Sequence, residues 1–93
     1  MKITKSDNPK KKLQAVFTRD NGRTKTVHFG SAGMQDFTIT KDKEQRTRYL
    51  NRHKKRENWN NYMSAGSLSR WILWSGTSRS QNIKDFKKRF KLV

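Results

Sequence analysis

The chain has 93 residues, of which 23 are Lys or Arg and seven are Asp or Glu, giving a net charge of +16. With no cysteine, disulfide staples and thiolate metal sites are excluded. The longest apolar run, WILW at 71–74, is too short to cross a bilayer.

Hydrophobic residues make up 30% of the chain, but three Trp, five Phe and two Tyr are among them. Large rings bury much area per residue and partly offset a small apolar count. The length and this composition predict one small folded domain. The net charge is +5 over residues 1–40, +5 over 41–57 and +6 over 58–93. It is therefore spread along the chain, which points to a polyanionic partner: nucleic acid, an anionic membrane or an acidic protein surface.

In chain order, residues 1–11 are polar and carry Pro9, and they read as an extended basic arm with Lys10 and Lys11 at its end. The opening MKITKSDNPKKK has no apolar centre and does not read as a secretory signal. Residues 12–30 are expected to form a β-hairpin. Leu13, Ala15 and Phe17 alternate onto one face, and Asn21-Gly22 supplies the turn. Val27 and Phe29 share a face on the returning strand, with Lys25 in phase. GSAG at 30–33 reads as a turn, and DFTI at 36–39 as a short strand or a helix entry.

Three helices are predicted next, at about 41–57, 65–74 and 79–90. Thr38 or Thr40 would cap the first, with Asp42 and Glu44 in its opening turn, where acids suit the macrodipole. Ser64 would cap the second, which is apolar nearly all round and so should be central. Thr77, Ser78 or Ser80 would cap the third, whose buried stripe is Ile83, Phe86 and Phe90. The fold class is α+β: an antiparallel hairpin or small sheet with helices packed on one side, a single domain over 12–93.

At about 100° per residue, the first helix separates into two sectors. Tyr49, Leu50 and His53 form a narrow seam with Arg46, and packing is firmer if Arg46 also buries its stem. Lys41, Arg48, Arg52, Lys55 and Arg56 gather elsewhere as a basic stripe. Such a stripe suits a phosphate backbone, where each contact releases counterions and adds affinity without reading sequence. Its bland reading is a solvated face. Lys10, Lys11 and Lys12 would act as an arm, and Lys84, Lys87 and Lys88 as a second surface. Trp59 and Tyr62, in a polar loop, are stacking candidates, whereas Trp71 and Trp74 sit in the most apolar segment and read as core.

Other chemistries lack support. KKK at 10–12 and RHKKR at 52–56 look like nuclear-import clusters, but such basic patches match often by chance. His53, four residues after Tyr49, reads as packed or hydrogen-bonded. A metal site would need His53 and His28 to converge with Asp36 or Asp42. No P-loop is present, and Asp85-Phe86-Lys87 lacks the partner acids of a nuclease. No cofactor and no catalytic residue are expected.

The order KKKLQAVFTRDNGRTKTVHFGSAGMQDFT, RTRYLNRHKKRENW, AGSLSRWILW and KKRF resembles a small uncharacterised family of large DNA viruses of algae and protists. The pieces carrying it are Phe29-Gly30 with Gly33 and Asp36, Tyr49 with Arg52-His53, and LSRWILW after Ala65-Gly66. That family has a histidine soon after the Asp-aromatic-Thr piece where this chain has Thr40. The resemblance implies a viral gene product packaged in the virion, present in host cytoplasm or nucleus during infection. It also implies Arg52 outward and His53 inward, turn geometries at Gly30 and Gly33, and a pair between Arg70 and an acid such as Asp36. The expected function is a non-enzymatic, virion-associated basic protein that binds nucleic acid, DNA ahead of RNA. The alternative is a minor capsid protein docking acidic coat proteins or the inner membrane.

Overall fold

The computed structural model describes residues 1–92; Val93, the last residue of the predicted domain, lies outside them. Three strands form an antiparallel sheet in the order β1-β2-β3, with β1 at Lys2–Lys5, β2 at Lys11–Thr18 and β3 at Thr24–Ser31. Four helices follow. They are α1 at Phe37–Thr40, α2 at Lys43–His53, α3 at Ala65–Leu68 and α4 at Arg79–Arg89. Between α3 and α4 the chain runs on as a π-helical turn over Ser69–Leu73. The class is α+β, as the alternation of the hairpin and the periodicity of the later segments predict.

Pairing in the hairpin sets Leu13 against Phe29 and Ala15 against Val27, which puts the apolar residues of both strands on one face. Ala15, Phe17 and Phe29 from that face meet Leu68, Ile72, Leu73, Trp74 and Phe86 from the helices, and Phe37 completes the core. Asn21-Gly22 is the turn, with Gly22 at φ 81°.

The first residues depart from the expected loose arm. Residues 2–5 pair with β2, setting Ile3 against Ala15 and Lys5 against Leu13, so they extend the sheet by an edge strand. Met1 and Ile3 pack against the core. Lys2 and Lys5, the first and last residues of this strand, are exposed, which disfavours pairing with another chain at that edge.

DFTI resolves as helix entry. Asp36 caps α1, its carboxylate accepting from Thr38 N at 2.9 Å. The cap of α2 is Asp42, which accepts from Glu44 N and Gln45 N, so neither Thr38 nor Thr40 serves there. Aspartate is the stronger capping residue, and its charge suits the helix N-terminus. This helix ends at His53, short of the expected residue 57. Ser64 and Ser78 cap α3 and α4 as anticipated.

The helix after Ser64 widens from α to π at Ser69, Trp74 N reaching Ser69 O at 3.2 Å. Two side chains satisfy its terminal carbonyls. Arg46 Nε donates to Trp74 O and Ser75 O at 2.8 and 2.9 Å. Buried Asn82 donates to Ile72 O and Gly76 O and accepts from Gly76 N. Carbonyls left open at a helix end need such partners, and a guanidinium there also suits the negative end of the dipole. The expected burial of the Arg46 stem thus has a further reason, because its head closes the helix that centres the core.

Candidate nucleic-acid interface

A groove of about 710 Å³ opens between the end of the hairpin, the segment 31–36, the C-terminal half of α2 and the face of α3. Four cations line it: Lys11 and Lys12 from β2, Arg52 from α2 and Arg56 from the turn that follows. The structure thus brings together residues from two of the three predicted basic sets. Arg52 and Arg56 are exposed, while Lys11 and Lys12 are half-buried.

Gly30 makes this possible. At φ 77° it occupies the left-handed region, which favours glycine. A Cβ there would lie 2.7 Å from Leu73 Cδ1 and 3.4 Å from Lys12 Cβ. The end of β3 therefore lies tight against the helical layer. Gly33, at φ 80°, turns the chain again before Asp36, and both positions match the turn geometry expected of them.

The carboxylates beside the groove are already engaged. Asp36 is 1% exposed and forms ion pairs with Lys12 Nζ at 2.6 Å and Arg79 Nη2 at 3.6 Å. Arg70 is not its partner, contrary to the expected pair. Glu57 meets His53 Nδ1 at 2.8 Å and accepts from Trp59 Nε1 at 2.9 Å. Gly66 lets Glu57 settle against α3, since a Cβ there would stand 2.8 Å from the Glu57 carboxylate.

The seam of α2 is an aromatic stack. Tyr49 lies between His53, at 4.1 Å between centroids, and Trp74, at 4.2 Å and nearly parallel. His53 is therefore packed and hydrogen-bonded, facing inward as expected. Burial first, then the nearby Glu57 carboxylate, raises the pKa of the Tyr49 phenol well above its ordinary value, with Arg70 opposing. Among the described residues no group of three or more His, Asp or Glu could hold a metal ion.

The other candidates lie elsewhere. Lys41, Arg48 and Lys55 are exposed but do not line the groove. Lys41 closes α1 at φ 56°. Lys10 is exposed in the turn before β2, its carbonyl accepting from Ala32 N. Lys84 and Lys88 are exposed on α4 and Lys87 is half-buried there, so they form a separate surface.

Neither stacking candidate is open. The Trp59 ring is held by Glu57 and covered by the Arg70 guanidinium at 5.1 Å. Tyr62 packs against Phe17 and Phe90. Trp74 is core, but Trp71 is only half-buried, with two guanidiniums over its ring.

Two exposed apolar residues, one of them at the groove, are not foreseen from the sequence. Met34 and Ile39 are 64% and 55% exposed, and Met34 lines the groove. Their signal was a pair of large apolar residues in segments that offered no amphipathic period. No curated protein and no solved structure matches the chain. Residues 1–53, from the sheet to the last residue of α2, match a family of unknown function (DUF5754), and the chain belongs to that family.

Proposed function

We propose that the protein is a non-enzymatic nucleic-acid-binding protein that holds its ligand through phosphate contacts, with DNA favoured over RNA. One observation carries this reading. Of 23 Lys and Arg, only Lys12 and Arg79 lie within ion-pair distance of a carboxylate among the described residues. The rest of the charge is not neutralised inside the fold. A surface of this kind attracts polyanions and gains affinity by releasing their counterions.

The contacting surface comprises Arg52, Arg56 and Lys11 at the groove, with Lys12 held beneath them by Asp36, and is continued by Arg48, Lys55 and Lys41 on and around α2. Lys10 extends it, and Lys84, Lys87 and Lys88 add a weaker second patch. Backbone-directed cations position a nucleic acid without specifying its bases, so sequence preference should be slight. The resemblance of the sequence to proteins of large DNA viruses makes a packaged viral genome the proposed ligand.

Charge reversal tests the surface. Arg52→Glu with Arg56→Glu should weaken duplex DNA binding by about 100-fold, as two charge-assisted phosphate contacts are lost. Lys84→Glu with Lys88→Glu should weaken it less. Fluorescence anisotropy reads both, and circular dichroism checks folding. Equal affinity of the first variant and the wild type would remove the groove from the interface. Binding confined to acidic proteins would favour the minor-capsid alternative.

A further inference from the structure

We propose that a second cleft, formed by the π-helical turn and α4, is a phosphate-binding site built on Arg89, Lys88 and Ser75, with Arg70 behind it. The cleft has a volume of about 570 Å³ and is lined by Trp71, Ser75, Asp85, Phe86, Lys88 and Arg89. It shares no lining residue with the groove and lies outside residues 1–53. It is therefore separate from the groove, although Lys88 also belongs to the second patch of the nucleic-acid surface.

Two guanidiniums lie over Trp71, Arg89 at 3.8 Å and Arg70 at 4.2 Å from the ring centroid. Arg70 also lies over Trp59. A guanidinium over a ring is held by the ring's π face, which satisfies none of its N–H donors; Arg89 lines the cleft and Arg70 lies behind its Trp71 wall. No guanidinium donor of Arg70 or Arg89 meets a protein acceptor among the described residues, and Arg70 Nε and Nη1 are buried in that state. Buried donors without partners are rare in folded proteins and call for an explanation. These cations are thus held in place by stacking while their donors remain unused.

Charge points the same way. Burial, then Arg46 and Arg89, lowers the pKa of Arg70, so the cluster bears mutual repulsion that an anion would relieve. Asp85 stands one turn before Arg89, at the spacing of a helical ion pair. No such pair forms, and its carboxylate accepts instead from Gln81 Nε2 at 2.9 Å. A hydroxyl, an ammonium and a guanidinium in one cleft suit a tetrahedral oxyanion with several oxygens better than a planar carboxylate.

The phosphate could be free or part of a nucleic-acid backbone, and calorimetry at constant ionic strength can separate the two. The ligands are inorganic phosphate and a short oligodeoxythymidylate, with chloride as control. Inorganic phosphate should bind the wild type saturably. Arg89→Gln should weaken it about tenfold or more, the loss of one charge-assisted contact. Asp85→Asn should tighten it, and Arg23→Gln, exposed at the hairpin turn and outside both surfaces, should leave it unchanged. Arg89 is exposed, so its variant should fold, which circular dichroism checks. A parallel loss for the oligonucleotide in Arg89→Gln identifies backbone phosphate, and loss for inorganic phosphate alone identifies a free phosphate. No saturable phosphate binding by the wild type, or undiminished binding by Arg89→Gln, would overturn the proposal.

Discussion

Glycine at position 30 and aspartate at position 36 decide how the groove is built. Gly30 combines a left-handed φ with the close approach of Leu73 and Lys12. Gly22 has a similar φ but nothing within 4 Å of a would-be Cβ. Gly30→Ala should therefore cost about 3 kcal/mol, from a left-handed backbone and an overpacked core together. Gly22→Ala should cost about 1 kcal/mol, from the backbone alone. Urea denaturation of the two variants gives the difference, and equal costs would mean that the contact with Leu73 is not tight.

Asp36 has three tasks: capping α1 and pairing with Lys12 and with Arg79. Asp36→Asn keeps an acceptor for the cap but leaves both cations without an anion. It should cost about 3 kcal/mol, since breaking a buried pair leaves uncompensated charge. Freed Lys12 would also add a cation to the groove, so DNA affinity should hold or rise while stability falls. A parallel fall in both would show that Asp36 positions the binding surface directly.

Among the elements, α2 shows what a sequence can and cannot reveal. Its division into a seam and a basic stripe is legible because helical spacing alone assigns faces. Tyr49 packs against the core and His53 stacks on Tyr49, whereas Leu50 is half-buried and does not reach the core cluster. The groove is not legible, because it needs Lys12 and Asp36 to meet across 24 positions and the hairpin to bend at Gly30. β1 is also hard to see: a four-residue edge strand with one buried face offers only Met1 and Ile3 as signal. The switch from α to π at Ser69 leaves no periodic trace over five residues. Arg70 meets two indoles where its charge suggests an acid, a contact that spacing along the chain does not announce.

The seam of α2 also carries a pH dependence. Tyr49 is held neutral, its pKa raised above the ordinary 10.0. Its contribution is fully present below pH 10.0. Above that value the unfolded phenol ionises while the folded one keeps its proton, so stability falls as pH rises. Lysines titrate in the same range, so the informative quantity is the difference between wild type and Tyr49→Phe. That difference should be small near neutrality and should shift in favour of the variant at higher pH, as followed by urea denaturation. A constant difference would mean that the phenol is not held neutral by the fold.

At the scale of the whole molecule, a net charge of +16 on 93 residues opposes folding through self-repulsion and promotes association with polyanions. A bound polyanion should relieve the repulsion and stabilise the fold by mass action. The central claim is that phosphate contacts supply the affinity, and the most direct test is the affinity for duplex DNA measured across a salt series. With Lys11, Arg48, Arg52, Lys55 and Arg56 engaged, log K should fall linearly with log salt at a slope of about −4.5. Arg52→Gln with Arg56→Gln should reduce that slope by about 2. An affinity that barely changes with salt, or a slope unaltered in the double variant, would contradict the account.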